Sequence, residues 1–297
     1  MIRAIRAPRH AVLKLIGLGL ALQCGAAQAG PYVFDTGNVD GRMAAASRPG
    51  TSPAMERETA DDFLLSTQTK ITSATFTGLL TGGAPLSAVS NVQVEIYRIF
   101  PNDSGIPPSG HVPTRTNSPA DVALATRGVG AGNLTFSTSV LSGSFTAANS
   151  VVNGVHPSPN QTTGGDGAVT GTEVLFTVDF VTPFDLAADH YFFVPQVEVD
   201  GGDFLWLSAA RPIAPPGTAF FPDLQSWIRN GEVAPDWLRI GTDIVGGTPA
   251  PTFNQAFTLT GETTAISEPL APGLIAIGLL ALLHRRAAPS TRRGGSR

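Results

Sequence analysis

Three histidines in the middle of the chain, His111, His156 and His190, are the first residues to test for acid–base chemistry. His111 and His156 lie in proline-rich stretches. His190 follows Asp189 at the head of an apolar run, where a capped or surface imidazole is the plainer reading. No serine occupies a Gly-x-Ser-x-Gly elbow, no His-Glu-x-x-His occurs, and Gly128-Val129-Gly130-Ala131-Gly132 lacks the spacing of a phosphate loop. The chain holds 23 carboxylates, too many for a glycosidase-like pair to be read from spacing alone. Asp200 and Asp203 flank Gly201-Gly202 as calcium ligands do, but the loop lacks an EF-hand's ligand count, and Asp61-Asp62 offers less. No catalytic residue, metal ligand or cofactor site is therefore assigned. Trp227 and Trp237 remain, set among Gln225, Arg229, Asp236 and Arg239. An exposed indole beside hydrogen-bonding side chains makes a sugar platform, while a buried one makes a lid on a core.

The elements that must position these residues have a period of two. Val92, Val94 and Ile96 alternate with Asn91, Gln93 and Glu95, and Val174, Phe176, Val178 and Phe180 share one parity. Leu134, Phe136 and Val140 repeat the pattern, as do Phe253, Phe257 and Leu259. Alternation of this kind marks half-buried strands, and Gly/Asp/Asn clusters such as Asp200-Gly201-Gly202-Asp203 punctuate them. No helical period lasts three turns in the body. The expected fold is all-β, an antiparallel sandwich of jelly-roll type over residues 30–262, with Phe193 and Trp206 at core parity. Residues 36–58 read as a loosely packed entry, and 101–132 as one long surface excursion.

Charge separates the ends from the body. Arg3, Arg6, Arg9 and Lys14 precede residue 30, five arginines follow residue 284, and no acid lies in either segment. The middle carries 10 basic against 23 acidic side chains, a formal charge of −13, although the whole chain reads −4. Phosphate repels such a body, so nucleic acid is not an expected partner. A basic start, the apolar run Leu15–Leu22 and small residues at Ala27 and Ala29 before Gly30 form a secretory signal peptide, 1–29, cleaved after Ala29. Cleavage there discards Cys24, the only cysteine, and leaves a mature chain without a thiol. The tail, 263–297, places Ser267-Glu268-Pro269 before an apolar stretch, 270–283, and a basic stop, 284–297, that begins His284-Arg285-Arg286. Fourteen residues rise about 21 Å as a helix, short of a hydrocarbon core of about 30 Å but able to insert with its arginines snorkelling to the cytoplasmic side.

The segment from Ser267 to Arg286 resembles the PEP-CTERM sorting domain of exported bacterial proteins. In that family a Pro-Glu-Pro motif precedes a transmembrane helix and an arginine-rich end, and an exosortase processes the tail. Glu268 and Pro269 match the motif, and Ser267 stands where its first proline is usual. The resemblance implies passage through the secretion machinery and signal peptidase, membrane attachment by the C-terminal helix, and delivery to the cell envelope or surface. The leading expectation is a non-enzymatic envelope or biofilm-matrix protein. A carbohydrate-binding module for extracellular polysaccharide, using Trp227 and Trp237, is the second, and a secreted hydrolase on a jelly-roll scaffold the third.

Overall fold

Alternating apolar residues become strands where both faces find a partner, and here they do so almost throughout. The computed structural model describes residues 29–50, 55–104, 116–155, 162–210, 225–231 and 237–264. In chain order its strands are β1 (Pro31–Asp35), β2 (Val39–Ala46), β3 (Arg57–Leu64), β4 (Thr69–Leu80) and β5 (Val89–Arg98). Then come β6 (Ala125–Gly128), β7 (Thr135–Ala147), β8 (Asn149–Val151), β9 (Val169–Leu186) and β10 (His190–Val199). The last are β11 (Phe204–Ala209), β12 (Trp227–Asn230), β13 (Leu238–Arg239), β14 (Asn254–Gln255) and β15 (Phe257–Thr263). Among the described residues helix is confined to short turns, including a π-helical turn at Ile240–Val245.

The strands form two sheets. The larger runs β1-β15-β4-β11-β2-β8, with β9 paired along the whole of β4, β7 beyond β9, and β14 on β11. The smaller runs β13-β12-β3-β10-β5-β6. Every described pairing between named strands is antiparallel except β2 with β8. Phe76, Val174, Phe176, Trp206, Phe257 and Leu259 from the larger sheet pack against Phe63, Val92, Val94, Ile96 and Phe193 from the smaller. Phe193 stacks on Phe257 at 5.1 Å between centroids and meets Trp206 edge-on at 5.9 Å. Aromatic burial on this scale dominates the energetics of a core and closes the sandwich without a covalent staple.

Two expected loops are more ordered than their composition predicts. Within 36–58, Met43 to Ser47 are wholly buried, because the small side chains of Ala44-Ala45-Ala46 let β2 sit close beside β11. Within 101–132, Ser118 and Ala120 are wholly buried, and β6 extends the smaller sheet. The expected parity holds in β7 as far as Val140, because Phe136 and Val140 pair with the core-facing Val178 and Val174, but β7 is an edge strand and Val140 stays about half exposed rather than joining Leu134 in the core. Register shifts at Val140/Ser142 and Ser142/Phe145 follow, and Leu141 is about half exposed.

Candidate functional site

The outer face of the smaller sheet carries the densest set of ionisable groups, and strand parity puts them there. Once Val92, Val94 and Ile96 of β5 face the core, Gln93, Glu95 and Tyr97 face out. Neighbouring strands supply Glu58 on β3 and Arg229 on β12, which are register partners. Glu58 is 3% exposed. Tyr97 Oη lies 2.7 Å from Glu58 Oε1 and 2.9 Å from Glu95 Oε2, and accepts a bond from Arg229 Nη2 at 3.1 Å. A phenol has one proton to give. Where it is donated to Glu58, the contact with Glu95 requires the proton to sit on the Glu95 carboxyl. Burial, then the charge of Glu58, push the Glu95 carboxyl up to about 7, in keeping with that arrangement. Glu56 is raised for the same two reasons.

Arg229 neutralises the cluster. Its Nε bonds Glu58 Oε2, its Nη1 donates to the Asp121 carbonyl at 2.9 Å, and its guanidinium lies 4.6 Å from the Trp237 ring centroid. Burial is the largest single influence and works against its charge, but the charge and hydrogen bond of Glu58, with Tyr97 and Glu56, together outweigh it and raise the pKa. Trp237 covers the group, edge-on to Tyr97 at 5.5 Å, with Nε1 donating to the Ala120 carbonyl at 2.9 Å. With Ala60, Tyr97, Phe192, Val194 and Trp227 it forms a small apolar layer outside the sheet. The arrangement holds one proton between two carboxyls and ties β3, β5 and β12 to the segment around Ala120. Glu58 is sealed beneath it, so the cluster braces the fold rather than presenting a carboxylate to a substrate.

Several sequence-predicted residues fall in this region. Trp227 and Trp237 are both 0% exposed. Each has a guanidinium over its ring, Arg239 on Trp227 and Arg229 on Trp237, so these two indoles present no stacking face and the sugar-platform reading of them does not hold. His190 is buried, with Nε2 2.7 Å from Asp62 Oδ2. Asp61 accepts the Gln255 amide at 2.9 Å, and Asp203 pairs with Arg48, so these carboxylates are engaged within the fold. Glu58, Glu95 and Tyr97 were not legible as a cluster. They stand on alternate positions of strands distant in sequence, and nothing in the pattern shows that a polar face will be roofed by Trp237.

Gly30, the predicted first mature residue, follows Ala29 and pairs with the far end of the body. Its amide donates to Thr263 Oγ1 at 3.0 Å, and the Thr263 amide donates to its carbonyl at 2.8 Å. Ala27, Ser267, Glu268, Pro269, Arg285, Arg286 and the apolar stretch 270–283 lie outside the described residues. Among the described residues no helix is long and apolar enough to cross a membrane. In comparisons with known proteins, no family model matches the chain and no curated protein matches it.

Proposed function

We propose that the protein is exported and sorted to the cell envelope or surface, where it serves as a non-enzymatic component of the envelope or biofilm matrix. The observation that carries this reading is the pair of signals at the two ends: Ala27-Gln28-Ala29 after a basic, apolar leader, and Ser267-Glu268-Pro269 before an apolar stretch and arginines. In this account signal peptidase frees Gly30, the apolar stretch 270–283 inserts as a helix and holds the protein at the membrane at least transiently, and an exosortase reads Glu268-Pro269. The body between is a jelly-roll-like sandwich stabilised by packing alone.

Two features of the body support the reading. A chain that loses Cys24 on export has no thiol to oxidise outside the cell. Gly30 is also already seated against Thr263, so removal of a leader at Ala29 costs the sheet none of the β1–β15 pairing between Pro31 and Glu262. N-terminal sequencing of the envelope-associated protein tests the first step. A start at Gly30 is expected, and a lipid-bearing start at Cys24 overturns both the cleavage site and the thiol-free body.

A further inference from the structure

Among the described buried carboxylates, Glu58, Asp61 and Asp243 have partners within the fold and Glu173 is the exception. On β9 its neighbour Val174 faces the core, so Glu173 and Leu175 point to the outer face of the larger sheet. Glu173 is 7% exposed, yet no hydrogen bond or ion pair reaches its carboxylate, and burial alone raises its pKa. No group of the protein offsets the partial desolvation of that carboxylate. It opens instead into a groove of about 370 Å³ between the β1–β2 turn and the bulged part of β7. That size lies within the range of about 300–1,000 Å³ typical of small-ligand sites.

The lining defines the ligand's chemistry. Asp35 and Asn38 stand on the exposed rim, and Thr75 and Thr77 line the floor with hydroxyls that no described protein group hydrogen-bonds. Leu141, 53% exposed, supplies an apolar wall. No lysine, arginine or histidine is present among the described lining residues. The groove therefore offers two carboxylates as acceptors and two hydroxyls as donors or acceptors, with no cation to receive an acid. A ligand that fits must bring its own donors and positive charge, hydroxyls for the threonines and an apolar edge for Leu141.

We propose that this groove binds a glycan carrying protonated amino groups, with Glu173 receiving an ammonium at its floor and Asp35 a second donor at its rim. It lies on the sheet opposite Trp227 and Trp237 and stands whether or not the tail is processed. Binding satisfies a carboxylate the free protein leaves bare, so the site trades stability of the unbound fold for affinity.

The test is calorimetric titration of the full-length protein in mild detergent with four probes: chitosan tetraose, its fully N-acetylated form, tetragalacturonate and tetralysine. Chitosan tetraose should bind, the acetylated form about tenfold or more weaker, and the other two not measurably. Absence of chitosan binding at millimolar ligand overturns the proposal, as does tetralysine or tetragalacturonate binding equally well. Glu173→Gln should weaken chitosan binding about tenfold or more while raising the melting temperature of the free protein. Asp35→Asn, at the exposed rim, should weaken binding severalfold without altering the fold. Unchanged affinity in both variants overturns the assignment of the groove.

Discussion

Glu95 gives the outer-face cluster a measurable signature. Its carboxyl is ordinarily near 4.5 and is pushed up to about 7 in the folded protein, so the native state holds that proton more tightly than the unfolded chain. Below about pH 4.5 both states are protonated and the group is neutral toward stability. As pH rises from there to about 7 the unfolded state ionises first, stability falls, and above 7 the full penalty remains. Glu95→Gln removes the titration. Denaturation curves between pH 4.5 and 8 should show a flatter profile for the variant and a gain on the order of 2 kcal/mol at pH 8, after allowance for partial exposure of the group. Parallel profiles for variant and wild type contradict the shared-proton arrangement. Little of this was legible beforehand. Alternation placed Glu95 on the polar face of β5, but the meeting with Glu58 and Tyr97 depends on β10 separating β3 from β5 in the sheet. Arg229 was visible only as a polar neighbour of the tryptophans, and its burial against Glu58 follows from the β3–β12 pairing.

At the scale of elements, β5 and β9 follow directly from their period of two, because one face of each is drawn to the same aromatic core, whereas the apolar run of β10 is buried on both faces. Less was readable where small side chains decide the packing. Met43-Ala44-Ala45-Ala46 has no alternation to betray a strand, yet β2 is buried by its contact with β11. Gly78 on β4 belongs to the same class of detail. A Cβ there would strike the Phe204 ring and the Leu205 carbonyl, whereas Gly143 on β7 faces open space. Gly78→Ala should cost about 1–3 kcal/mol through overpacking, and Gly143→Ala should be neutral or slightly favourable. Equal midpoints for the two variants in denaturant contradict the close approach of β4 and β11. The register of β7 was likewise out of reach, since its bulges arise from pairing with the longer β9 and leave Leu141 free to wall the groove.

For the whole molecule, the sandwich was legible as a class because the apolar patterns of residues 30–262 have the strand period and none sustains the helical one. The arrangement of its two sheets was not, because sequence order does not place β9 beside β4 or β2 beside β8. Charge separates the same parts at larger scale: an acidic body without cysteine lies between basic ends, a composition that fits the export proposed above. The central claim is that Glu268-Pro269 is read by a sorting enzyme, and replacing both residues by alanine tests it while leaving the apolar stretch and arginines intact. Fractionation and intact mass should find the wild-type protein processed and the variant accumulating in the membrane fraction with its full tail. Identical mass and identical fractionation of the two proteins would contradict the claim and reduce the tail to a simple anchor.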